Sequence, residues 1–232
     1  MNRKETASLI PEAGRFPGLF ITFEGPDGSG KTTQIARVAE ELRKWGLPIV
    51  ATREPGGTRI SDKIRTIILD PENVEMADRA EVLLYAASRA QHVAEKIIPS
   101  LAEGNIVLCD RFVDASIAYQ GHGLGLSLEA VEEINRFATG GLVPDRTYLI
   151  DVPVSVTEAR LRGRAAADPA VGLDRIESKN TEYHERVRSS FRAITEKNPL
   201  RIVPIDGNHS PDEVFSAILA DCRSLLAERI KR

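Results

Sequence analysis

Five short, nearly continuous apolar runs punctuate the chain: LFITFE (19–24), PIVATRE (48–54), NIVLCDR (105–111), RTYLIDV (146–152) and RIVPID (201–206). They are rich in β-branched residues, and continuous apolarity marks a strand buried on both faces. The segments between them repeat apolar residues at helical spacing: 32–45, 58–69, 78–102, 127–138, 155–164, 174–196 and 211–230. SPDEV (210–214) opens the last of these with an N-cap serine, a proline at the first helical position and early acids. Strands alternating with helices predict an α/β fold, a five-stranded parallel sheet with helices on both faces in three layers. There is no internal repeat. Residues 18–232 read as a single domain, preceded by a flexible leader over 1–17. AAADPAVG (165–172), small and flanked by arginines, reads as a surface loop or as a mobile lid over about 160–175.

Composition narrows the function classes. The 232 residues carry a formal net charge of −3, so bulk charge offers nothing to nucleic acid or to an anionic membrane. No stretch has the length and apolarity to span a bilayer, and residues 1–17 lack a signal-peptide core. Cys109 and Cys222 have no pairing or metal-binding spacing, which fits a reducing compartment. A cytoplasmic enzyme or switch is expected.

The candidate chemistry starts at GPDGSGKTT (25–33), which follows the first strand and opens the first helix. Gly-x-x-x-x-Gly-Lys-Thr in that context is a phosphate-binding loop. Gly28 and Gly30 let backbone N–H groups turn inward, and the helix N-terminus adds positive potential. Lys31 reaches the β and γ phosphates, and Thr32 offers its hydroxyl to Mg²⁺. Gly25, Pro26, Asp27, Gly28, Ser29, Gly30, Lys31, Thr32 and Thr33 form the candidate ATP-binding set. The loop alone does not choose a reaction. A GTPase would carry Asn-Lys-x-Asp, which is absent. A mechanical ATPase would follow an apolar strand with an acidic pair, whereas Arg111 follows Asp110 here. Phosphoryl transfer to an anionic acceptor fits that arginine better.

Further clusters point to the acceptor. TREPGGT (52–58) puts Arg53 at the carboxyl end of the second strand, where α/β sheets bind ligands. A surface salt bridge between Arg53 and Glu54 is the competing reading. In YAASRAQH (85–92), Tyr85 and Arg89 are four apart and share a helix face, as a base-stacking pair or as a core tyrosine with an arginine reaching for solvent. DRFVDASIAYQG (110–121) brings an acid, an arginine, a hydroxyl, a tyrosine and an amide together. In ARLRGRAAADPAVGLDRIE (159–177), Arg160 and Arg164 share a face on a helix end and Arg162 points away.

Taken together, EGPDGSGKTT, TREPGGT, EVLLYAASRAQHV, DRFVDASIAYQG and LDRIE resemble the bacterial thymidylate kinase family, from about residue 19 to the last helix. The resemblance implies phosphoryl transfer from ATP to dTMP, a P-loop kinase fold, Mg²⁺ and a homodimer. It implies dTMP contacts from Asp27 at the sugar 3′-OH and Arg89 at the thymine O4. Tyr85 would stack on the ring, and Arg111 would meet the acceptor phosphate. Ser116 would meet the base edge, Tyr119 would lie under the 2′ carbon, and Gln120 would close the pocket. Arg53 and Glu54 border the same site. Asp110 would bind Mg²⁺ through water beside Thr32, while Asp174 and Glu177 would face the metal or the acceptor phosphate. Some members carry an arginine inside the phosphate loop, which PDGS lacks. The catalytic charge is then expected from Lys31, Arg111, Arg160 and Arg164.

Overall fold

In a computed structural model that describes residues 17–167 and 172–230, five parallel strands form one sheet in the order β2-β3-β1-β4-β5. They are β1 Leu19–Glu24, β2 Ile49–Arg53, β3 Ile106–Asp110, β4 Arg146–Asp151 and β5 Ile202–Asp206. The helices are α1 Lys31–Lys44, α2 Arg59–Leu69, α3 Asp78–His92, α4 Ile98–Ala102, α5 Val113–Ser116, α6 Leu128–Thr139, α7 Val154–Ala167, α8 Thr181–Lys197 and α9 Pro211–Ile230. Pro204, which cannot donate to a ladder, sits on the edge strand β5.

Side-chain alternation along β1 builds both cores. Leu19, Ile21 and Phe23 face α1 and α9, where Ile35, Val38, Leu42, Val214, Ile218 and Cys222 close over them. Phe20 points to the other face and packs with Val107, Cys109, Ile97, Leu101 and Phe112. Leu149 and Ile202 meet Tyr183, Val187 and Phe191 of α8 on that same face. Both faces of the central strands β1, β3 and β4 are covered, which is why they lack polar alternation. Consequently the chain leaves the carboxyl ends of β1, β2 and β3 on one rim, with Thr22 level with Cys109 and Phe23 with Asp110.

Three expected elements differ. The segment 78–102 is not one regular helix: Val93–Ile97 is a π-helical stretch between α3 and α4. Pro99 has no N–H for the Glu95 carbonyl and its ring would crowd it, so a widened turn lets the chain continue. The helix expected over 174–196 begins only at Thr181. Asn180 caps it, its side chain accepting from Tyr183 N at 2.9 Å. Ahead of it, the Asp174 carboxylate accepts from the amides of Ile176 and Glu177, both at 2.8 Å, and holds a turn instead. Finally, α7 runs through Ala167, so part of the 165–172 loop is helical. Residues 168–171, in the middle of the expected lid, and 1–16, nearly all of the expected leader, lie outside the described residues.

Candidate active site

The 25–33 loop leaves β1 through Gly25, at φ 135°, where a Cβ would stand 2.4 Å from the Ile150 carbonyl oxygen. Only glycine fits there. Gly30, left-handed at φ 96°, hands the chain to α1, whose first residue is Lys31. Lys31 is buried, and its Nζ donates to the carbonyls of Pro26 (2.8 Å) and Gly25 (3.1 Å) and to Ser29 Oγ (3.3 Å). The ammonium rests on the loop's own oxygens. Burial and the nearby Arg111 push it down to about 8.

Across from it, Thr32 Oγ1 donates to Asp110 Oδ2 at 2.6 Å. The next residue, Arg111, has φ 69°, a conformation that non-glycine residues rarely adopt. Its surroundings over-determine it. The backbone N–H donates to Phe23 O (2.9 Å), and the guanidinium donates to Gly25 O (2.9 Å), Asp27 Oδ1 (2.6 Å) and Tyr119 Oη (3.1 Å). Tyr119 Oη in turn donates to Asp27 Oδ2 at 2.8 Å. Burial would raise the Asp27 carboxyl, but Arg111, Lys31 and the Tyr119 bond outweigh it and hold it well below the usual carboxylate range.

Behind this cluster, Glu24 is buried and accepts from Phe112 N at 2.7 Å, while its Oε2 has no partner among the described residues. Burial, reinforced by Asp114, lifts its pKa to about 8. A carboxyl raised in the fold stabilises it fully below its unfolded value near 4.5 and loses that contribution as pH rises through about 8. Glu24→Gln mimics the neutral acid. It should melt above the parent at about pH 8 and match it near pH 5. An unchanged gap at both pH values would contradict a neutral Glu24.

Beside the loop a cavity opens between α2, α3 and the π-helical stretch Ile117–Gly123, lined by Tyr85, Arg89, Ser116, Tyr119, Gln120, Leu69 and Ile176. Gly121 and Gly123 let neighbours pack closely on this stretch: a Cβ on Gly121 would lie 2.6 Å from Leu128, and one on Gly123 would lie 2.7 Å from the Tyr183 ring. Arg89 neither reaches solvent nor hangs free. It is 2% exposed, with Nε on Glu54 (2.6 Å), one terminal nitrogen on Ser116 Oγ (2.8 Å) and Asn135 Oδ1, and the other on Phe112 O (2.9 Å). Glu54 also holds His92 Nδ1 at 2.9 Å, and Thr52 Oγ1 lies 2.7 Å from His92 Nε2. Glu54 is therefore no surface partner of Arg53, which pairs with Asp62 at 2.9 Å. Cys109 lies near Glu54 and His92, but Arg89 and Thr52 already engage those two, so the trio is a hydrogen-bonded support and not a metal site.

The cavity meets a polar groove along the loop. Asp27, Glu54, Arg65, Arg111 and Asp174 line both. Lys31, Thr32, Thr33, Arg53, Asp110, Arg160 and Arg164 border the groove only. Arg65 is a residue that sequence reasoning missed. Its NH1 donates to Pro55 O at 2.8 Å, which turns the guanidinium toward the junction. A helical arginine four residues before Leu69 carries no motif; only the tertiary position marks it.

Among the lid residues, Arg160 donates to Gly28 O (3.2 Å) and Gly207 O (3.3 Å), and Arg164 to Glu177 Oε2 (2.6 Å). Arg162, 69% exposed, faces Glu158 at 3.7 Å and stays off the groove. Asp174 lies at the junction, and burial with Glu177 and Asp27 nearby raises it to about 6. Thr32 and Asp110 present adjacent hard oxygens at an open groove, a set that suits a cation keeping several waters.

The family model for thymidylate kinase matches residues 23–218. The chain is 50% identical to the thymidylate kinase of Exiguobacterium sibiricum over 212 residues, 91% of this chain and 97% of that protein. It is 49% identical to that of Pelobacter propionicus over 203 residues, 88% and 93% of the two chains. The crystal structure of thymidylate kinase from Ehrlichia chaffeensis superposes with a TM-score of 0.71 at 33% identity, covering 88% of this chain and 98% of that one. The loop, the Arg111 cluster, the cavity behind Arg89 and these matches along nearly the whole chain lead to one assignment: this protein belongs to the thymidylate kinase family.

Proposed function

We propose that this protein transfers the γ-phosphoryl group of ATP to dTMP, giving dTDP and ADP. The observation that carries this reading is the junction: five residues line both the loop groove and the cavity, so a donor phosphate and an acceptor phosphate would meet there. Four of the five N–H groups of Arg89 are engaged, leaving one donor for a base carbonyl in the cavity it lines. Ser116 accepts from Arg89, so its hydroxyl proton is available to the base edge. Tyr85 offers its ring, and Tyr119, fixed by Asp27, limits room beside the sugar.

The acceptor is a phosphate monoester that is largely dianionic at neutral pH, so transfer requires no general base. The problem is to bring two anions into line, and the chain answers with positioning and positive charge. Lys31 would leave the carbonyls of Gly25 and Pro26 for the donor phosphates. Arg111 and Arg65 would hold the acceptor phosphate. Thr32, with Asp110 through water, would hold Mg²⁺, which supplies charge neutralisation across the donor phosphates. Residues 160–175 would act as a lid, with Arg160 and Arg164 turning onto the transferred group and excluding water.

Measuring ADP release with a panel of nucleoside monophosphates tests the reading. dTMP should be best, dUMP weaker, and AMP or CMP poor; equal rates with AMP would refute it. For the lid, Arg164→Ala should lower kcat ~100-fold with modest KM changes, and Arg162→Ala far less. The reverse order in steady-state kinetics would remove Arg164 from the transition state.

The same reading includes a homodimer and a cytoplasmic setting. Leu83 on α3 (55% exposed) and Phe137 on α6 (90%) form an apolar face with Ile134, beside the small residues Ala87 and Ala90. Phe137→Lys should convert a dimer into a monomer in sedimentation, and a parent that sediments as a monomer would count against it. The cysteines Cys109 and Cys222 are free and buried, as suits a reducing compartment. No helix among the described residues is long and apolar enough to cross a membrane.

A further inference from the structure

Glu81 of α3 is 1% exposed and sits outside both the loop groove and the cavity lining. Its carboxylate has two neighbours. Oε1 accepts from Gln120 Nε2 at 2.9 Å. Oε2 lies 2.7 Å from an Arg175 terminal nitrogen, close as a charge pair though not aligned as a hydrogen bond. Arg175 is itself fixed, Nε donating to Ile68 O at 2.8 Å and its backbone N–H to Leu69 O at 3.2 Å.

This pairing decides which way an amide faces. A carboxylate only accepts hydrogen bonds, and the Arg175 guanidinium stands 2.7 Å from this one. Gln120 must therefore turn its NH₂ toward Glu81. The other side of the amide is Oε1, which has no hydrogen-bond partner among the described residues, on a side chain that lines the acceptor cavity. That wall is thus an acceptor. The neighbouring wall, from Arg89 and Ser116, offers donors. A donor beside an acceptor complements a ring carbonyl flanked by N–H, the imide edge of thymine or uracil. Cytosine offers the opposite pattern, an exocyclic donor beside a ring lone pair.

We propose that Glu81 is a positioning residue that locks the Gln120 amide with its oxygen toward the acceptor, so that the cavity reads an imide N–H and rejects an aminopyrimidine. The proposal rests on the dTMP reading and adds to it the group that sets base discrimination. It extends to Arg175, which ties the turn closed by Asp174 to that group.

Glu81→Gln tests it. A neutral amide can donate or accept, so Gln120 becomes free to rotate and present NH₂ to a ring lone pair. The preference for dTMP over dCMP, read both as kcat/KM and as the ratio of Kd values, should fall at least ~10-fold. A loss of activity shared equally by both nucleotides, with the ratio intact, would mean that Glu81 only supports the fold and would overturn the proposal. If Glu81→Gln does not fold, Gln120→Leu leaves the Glu81–Arg175 pair in place and must lose the same preference; retained discrimination there overturns it equally. A parent that binds dTMP over dCMP without phosphorylating it would refute the enzymatic reading, while the Kd ratios would still decide the role of Glu81.

Discussion

Arg89→Ala should cost about 3–5 kcal/mol of folding stability, the range for removing one partner of a buried ion pair. Arg89 and Glu54 are each 2% exposed in their side chains and 2.6 Å apart. Truncation leaves the Glu54 carboxylate with only His92, and strips Ser116, Asn135 and the Phe112 carbonyl of a shared donor. For a chain of this size the melting temperature should drop by roughly 10 °C. In the same variant the KM for dTMP should rise more than that for ATP. Arg89→Lys should not restore either property, because an ammonium cannot reproduce a fork of four bonds. Adding Glu54→Gln to Arg89→Ala should recover part of the stability by neutralising the stranded charge. Chemical denaturation of the single and double variants checks this; additive losses would mean the two side chains are not coupled.

Lys31→Ala should reduce kcat by at least ~100-fold, the loss from removing one electrostatic donor at a developing charge, with an unchanged far-ultraviolet circular dichroism spectrum. Its ammonium contacts only loop oxygens, and the Gly25 carbonyl it releases keeps Arg111 as a donor. The lysine also has a proton signature. With its pKa pushed down to about 8, it is partly neutral in mildly alkaline solution, and phosphates would favour the charged form. Titrating ATP calorimetrically at about pH 8.5 in buffers of different ionisation enthalpy should reveal proton uptake by the parent and much less by Lys31→Ala. Equal uptake in both would assign the proton elsewhere.

Much of the frame was legible because it depends on local pattern. Every expected strand is present, and the three central ones are legible because a strand covered on both faces must be apolar throughout. The loop was legible because phosphate binding needs glycines at fixed spacing between a strand and a helix. What escaped depends on pairs distant in sequence. Glu81 meets Gln120 across 39 residues, and Arg89 meets Asn135 across 46. Nothing local in EVLLYAASRAQ shows that Arg89 is enclosed on all sides. Arg65, on α2, carries no motif that marks it in the sequence. The late start of α8 came from side chains competing with the backbone: Asp174 closes a turn and Asn180 caps a helix within a stretch whose apolar spacing alone reads as helix.

The sharpest test of the account follows the phosphorus. The protein, ATP, Mg²⁺ and dTMP are combined, and the products are resolved by ³¹P nuclear magnetic resonance. Direct transfer at the junction of groove and cavity predicts dTDP and ADP in equal amounts, little inorganic phosphate, and negligible ATP turnover without the acceptor. Inorganic phosphate formed at the same rate with or without dTMP would contradict it and identify the chain as a hydrolase.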